Sequence, residues 1–130
     1  MKSFNLKRKV LVFAPHPDDE TLGCSGLLLK LKKNGSNLNW LLFTEMSKDG
    51  GYDVRDIKAK RIQIEKVKKI YNFKKTYELG YSPGSLDEIS SSEIVTKIKK
   101  ILSDLKPDTI LIPHHADIHT DHQVAHKLII

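Results

Sequence analysis

The chain of 130 residues is short of several things, and each shortage closes off a class of protein. With Cys24 as its one cysteine, it can form no internal disulfide and no cysteine-rich zinc site. Seven glycines and five prolines are too few for collagen-like or low-complexity sequence. No apolar run approaches the roughly 20 residues that a membrane-spanning helix needs. Behind the basic Lys2, Lys7, Arg8 and Lys9, the apolar residues 10–14 fall short of the about 7 to 15 of a signal-peptide core. These shortages predict a reduced, cytoplasmic protein. Arginine is scarce too. All but three of the 22 basic residues are lysines, the exceptions being Arg8, Arg55 and Arg61. Lysines without clustered arginine and interleaved aromatics read as solvated helix faces, which argues against a specific nucleic-acid partner. The net charge of +6 and pI near 9.4 keep a basic, nucleic-acid-associated domain as the alternative from the binding class.

What is present fits one globular domain over residues 1–130, with 39% hydrophobic and 29% charged residues. A chain of this length buries roughly two-thirds of its unfolded surface, so a bound metal would serve function rather than folding. Residues 9–14 read as a buried strand, because Val10, Leu11, Val12 and Phe13 run without a polar break and Pro15 closes the run. Residues 22–33 read as a helix with Leu22, Leu27, Leu28 and Leu31 inward, ended by Asn34 and Gly35. A second strand is expected over 38–44, followed by a polar loop with Gly50 and Gly51. Over residues 54–71, Ile57, Ile64, Val67, Ile70 and Tyr71 keep a helical period. A short strand is expected over 76–79. Ser90 and Glu93 have the spacing of a capping box ahead of a helix carrying Ile94, Val95, Ile98, Ile101, Leu102 and Leu105. A strand over 109–112 and a last helix capped by Thr120 and Gln123 complete the pattern. Strands alternating with helices predict an α/β fold with a mainly parallel sheet.

Two polar constellations stand directly after predicted strands: Pro15, His16, Pro17, Asp18, Asp19 and Glu20 after the first, and residues 114–122 after the fourth. Five of the six histidines, His114, His115, His119, His122 and His126, fall within thirteen residues. In an open parallel sheet, ligands bind at the carboxyl ends of strands, so the two segments can meet. Neither the glycine fingerprint of a dinucleotide binder nor a Gly-Lys-Ser/Thr phosphate loop occurs, which argues against nicotinamide and nucleoside triphosphate cofactors. In their place stand His16 and Asp19, three residues apart, and His119 and His122 with the same spacing. Two imidazoles and a carboxylate, with one position left to water, make the composition of a catalytic zinc site. Asp18, beside a ligand, could serve as general base. His122 and His126 are four apart, but Gln123 stands where a zincin needs Glu, so that protease motif fails. Glu20 reads as a first-turn helix residue, Cys24 and Ser25 as small packing residues, and His114, His115 and His126 as surface or supporting groups.

The segment Ala14-Pro15-His16-Pro17-Asp18-Asp19-Glu20, with His119-Thr120-Asp121-His122 about a hundred residues later, resembles the LmbE/PIG-L zinc-dependent de-N-acetylases. The resemblance implies a Rossmann-like three-layer sandwich and hydrolysis of an N-acetyl group from an N-acetylglucosamine-type sugar or conjugate. It makes His16, Asp19 and His122 the zinc ligands and Asp18 the base. His119 would stabilise the tetrahedral intermediate or assist the departing amine, and Asp121 would orient a histidine. Other divalent metals suit the same donors. Either Arg55 or Arg61 would match the family's substrate-contacting arginine. Members of the family are usually longer, so the resemblance implies a domain incomplete at its carboxyl end, compatible with an inactive zinc-binding fragment or paralogue. A homo-oligomer is compatible with it as well.

Overall fold

A computed structural model of the chain describes residues 6–16 and 19–112, with side chains described for 6–16 and 25–112. Strands β1 (Lys9–Ala14), β2 (Asn37–Thr44), β3 (Lys75–Tyr81) and β4 (Thr109–Leu111) form one sheet in the order β3-β2-β1-β4, every pairing parallel. Between them run helices α1 (Asp19–Lys33), α2 (Val54–Tyr71) and α3 (Ser91–Leu105), with a 3₁₀ turn at Leu86–Glu88. The expected helix over 120–130, with its cap, lies outside the described residues.

The unbroken apolar runs of β1 and β2 have a simple cause, which is that both faces of the sheet are covered. Val10, Val12 and Ala14 share one face with Leu38, Trp40 and Leu42, packed against Leu28 and Leu31 of α1 and Ile64 and Tyr71 of α2. Leu11, Phe13, Leu41 and Phe43 point the other way, onto Leu86 and onto Ile94, Ile98 and Leu105 of α3. Three layers result, α1 and α2 over the sheet and α3 beneath it. Trp40 is wholly buried and stacks on Phe73 at 5.2 Å between ring centroids. On the same strand, buried Asn39 donates to the Val10 carbonyl at 3.1 Å and accepts from the Lys75 N–H at 3.2 Å, tying the starts of three strands together.

Four expectations shift. Helix α1 begins at Asp19 rather than Leu22, so Asp19 of the first motif already lies at the helix start. Strand β3 runs over Lys75–Tyr81, longer than 76–79, because pairing to β2 carries Lys75, Thr76 and Tyr81 into the ladder despite their irregular pattern. Ile70 is 52% exposed, since α2 buries the face of Ile64 and Tyr71 instead. The capping box does not close. Ser90 occupies the cap of α3 but makes no side-chain cap bond, and its Oγ meets Ser92 Oγ at 2.9 Å. The Glu93 carboxylate is taken by the Tyr81 hydroxyl, which donates to it at 2.6 Å.

Strand β4 is fastened at its start. The Lys9 N–H donates to the Asp108 carboxylate at 2.9 Å, and the Asp108 N–H donates to the Lys9 carbonyl at 2.9 Å. The Lys9 N–H, and after it the Thr109 hydroxyl, hold the Asp108 carboxyl below its ordinary range. A carboxylate with a depressed folded pKa contributes stability that is present above its unfolded pKa and is lost as pH falls through the folded one. Asp108→Asn should therefore flatten the fall in melting temperature between about pH 5 and pH 3. An unchanged slope in acid melts of the two proteins would contradict this role.

Candidate active site

Strand order reverses at β1: β2 and β3 extend to one side of it and β4 lies on the other. Such a switch point opens a crevice at the carboxyl ends of the two diverging strands. β1 delivers Pro15 and His16 there, and α1 follows at once with Asp19 as its first residue. β4, which leads toward the histidine-rich segment, is the direct neighbour of β1, with Val12 paired to Leu111. The nominated Asp18, His119, Asp121 and His122 lie outside the described residues, as do His114, His115 and His126. Asp19 is described in its backbone only. Among the described residues no group of three His, Cys, Asp or Glu could hold a metal.

His16 is nonetheless held in a defined place. The buried Thr44, last residue of β2, donates from Oγ1 to the Pro15 carbonyl at 2.6 Å and from its N–H to the same oxygen at 3.1 Å. Both donors fix the peptide immediately before His16. Thr44→Val keeps the shape and one of the two bonds, so it should cost about 1 kcal/mol in stability, read from denaturant melts. Equal stability in the variant would contradict this anchoring role.

A cavity of about 180 Å³ opens beside His16. Its wall includes Glu45, Tyr52, Lys60, Arg61 and Glu78, gathered from just past the end of β2, the loop before α2, one side of α2 and the middle of β3. Arg61 is gripped from two directions, by Glu78 at 2.8 Å and Glu45 at 3.0 Å. The hydrogen bond to Glu78 is the main cause raising the Arg61 pKa still further, against a smaller lowering by burial. Arg55 stands elsewhere. It is exposed on the first turn of α2, where its N–H donates to the capping Asp53 carboxylate at 2.8 Å, and it is not part of the cavity wall. Of the two arginines, Arg61 is the one placed with His16.

Sequence reasoning missed Thr44, Glu45 and Glu78. Thr44 ends an apolar strand and Glu45 follows it, so the strand-end rule that found His16 applied to them equally. Glu78 carried no such signal. It reaches the cavity through the register of β3 on β2, which sets it opposite Leu42.

Comparison with known proteins agrees with this layout. The family model PIG-L, GlcNAc-PI de-N-acetylase, matches residues 11–130. A diacetylchitobiose deacetylase of Thermococcus kodakarensis is 33% identical over 116 residues, covering 85% of this chain and 42% of that protein. The structure of the Pyrococcus horikoshii N,N'-diacetylchitobiose deacetylase in complex with an inhibitor superposes with a TM-score of 0.80 at 27% identity, over 97% of this chain and 49% of the other. A conserved protein of Thermus thermophilus gives 0.78 at 29% identity, over 94% and 53%. The 4-carboxy-2-hydroxymuconate hydratase of Pseudomonas putida shares the fold, with a TM-score of 0.69 at 14% identity. The chain thus spans about half the length of the relatives it matches. With the family match running from within β1 through the second histidine motif, the chain belongs to the PIG-L family of de-N-acetylases.

Proposed function

We propose that this chain carries the metal site of a zinc-dependent amidohydrolase that removes the N-acetyl group from an N-acetylglucosamine-type sugar or conjugate. The observation that carries the reading is the adjacency of β1 and β4 at the switch point, with His16 on the carboxyl end of one and the His119–His122 segment following the other. The family match and the likeness to diacetylchitobiose deacetylases support the same chemistry. The donor set of His16, Asp19 and His122 fits zinc, since two imidazoles and a carboxylate leave one position open. His16 sits half-buried at the cavity, which suits a ligand reached by both metal and substrate. Iron or manganese would suit the same donors.

A divalent ion held there supplies Lewis acidity for the acetyl carbonyl and acidifies water toward a pKa of about 7. The remaining work belongs to side chains. Asp18 takes the proton of the attacking water. His119, as an imidazolium, donates to the oxygen on which charge develops, or passes its proton to the leaving amine. Asp121 fixes the orientation of a histidine. Arg61, fixed by Glu45 and Glu78, is positioned to donate to hydroxyls of a sugar in the cavity.

Zinc-loaded protein should release acetate from N-acetylglucosamine derivatives, and a chelator should stop it. Arg61→Ala should raise KM by about 10-fold with a smaller effect on kcat, the mark of lost substrate binding. No acetate release from any derivative by the metal-loaded protein would contradict the proposed activity, and no bound metal would contradict the proposed site.

A further inference from the structure

The net charge of +6 is not spread evenly over the fold. In a parallel sheet every connecting helix ends at the edge where the strands begin, opposite the site. At that edge meet the start of β1, the last turns of the three helices and the segments leading into β2, β3 and β4. It is crowded with cations, among them Lys7, Lys32, Lys33, Lys69, Lys74 and Lys106. Its acids are few, and they are engaged: Asp104 receives Lys75 at 3.2 Å and the Tyr77 hydroxyl at 2.8 Å, and Asp108 receives the Lys9 N–H. The opposite edge is the acidic one, with Glu45, Asp49, Asp53, Asp56, Asp87 and Glu88 in its loops and first turns. Lysines in last turns answer the helix dipole, and that would explain a few of them. It does not explain the exposed apolar groups set among them. Leu6 is 61% exposed and Ile70 52% exposed. Both are fixed at this edge through their carbonyls, Leu6 by Asn34 Nδ2 at 3.1 Å and Ile70 by Lys32 Nζ at 2.7 Å.

We propose that this basic edge docks on an anionic lipid surface, with the lysines meeting headgroups and Leu6 and Ile70 entering the interface. Lysine at the surface of an anionic leaflet contributes without fixed geometry, and a few exposed aliphatic side chains add shallow burial. Nucleic acid fits less well, because forked phosphate contacts would call for arginine and stacking for exposed aromatics. At this edge Arg8 is the sole arginine among the described residues, and Phe73 is half-buried against Trp40. The edge lies across the sheet from His16, so docking leaves the cavity facing solution.

The test is co-sedimentation of the full chain with vesicles of phosphatidylcholine, with and without roughly one-third phosphatidylserine. Binding should require phosphatidylserine and weaken as salt rises. The pair Lys33→Glu and Lys69→Glu should reduce it by about thirtyfold, at about fivefold for each lysine. The pair Lys48→Glu and Lys58→Glu, equal in net charge but at the other edge, should change it by less than about threefold. Leu6→Ser with Ile70→Ser should remove the binding that survives high salt, with melting temperature unchanged. Equal losses in the two charge-reversed pairs would overturn the proposal, as would binding to plain phosphatidylcholine. So would tighter binding to duplex DNA than to the charged vesicles, or self-association that Ile70→Ser abolishes.

Discussion

Asp18→Ala should lower kcat/KM for an N-acetylated sugar by about 10²- to 10⁴-fold while leaving one metal ion bound per chain, because a positioned base is worth that much and is not itself a ligand. The expectation follows from the order of residues at the end of β1. His16 leaves the strand beside a peptide pinned by Thr44, and Asp19 opens α1 three residues on, so in sequence Asp18 falls between the two residues proposed as ligands. Activity that survives in Asp18→Ala at the level of the unchanged protein would end the assigned mechanism. Loss of metal together with activity would instead move Asp18 into the ligand set. Quantifying bound metal in the same preparation as the rate separates the two.

His16→Ala should weaken zinc binding by more than about 100-fold, a larger effect than loss of a group that merely supports a ligand. Folding should be little affected. The core on each face of the sheet is built from β1, β2 and the helices without any contribution from His16, which is only half-buried. The melting temperature of metal-free His16→Ala should therefore match that of the metal-free unchanged protein, while added zinc raises the second and not the first. That pattern follows from linkage, since only a ligand that binds the folded state shifts the transition. A zinc-induced rise of equal size in both proteins would exclude His16 as a ligand.

How much of this was legible beforehand depends on what each feature rests upon. The buried strands β1 and β2 and the amphipathic α3 show themselves in continuous or periodic apolar residues, and the structure places them with boundaries within a few residues. β3 is different. Lys75, Glu78 and Gly80 break any strand pattern, and only pairing with β2 makes the segment extended, so tertiary context overrides local preference. The capping box failed for a related reason, because Tyr81 from β3 competes for the Glu93 carboxylate. At the cavity, His16 was legible from its place after a strand, and which of Arg55 and Arg61 lines the wall was not. Both lie on one helix, and only the packing of α2 on the sheet turns Arg61 toward Glu45 and Glu78. The charge of +6 was legible as a total and misleading as an average, since its sign differs between the two edges of the sheet.

The central claim is that the end of β1 and the segment after β4 serve one metal ion. Cobalt(II) titration followed by visible absorption tests it most directly, in the unchanged protein, in His16→Ala and in His122→Ala. One cobalt per chain is the predicted stoichiometry, with the visible band lost or strongly altered in either single variant, because each removes a ligand of the same ion. Two ions per chain, with one lost in each variant and the spectrum of the other intact, would contradict the account.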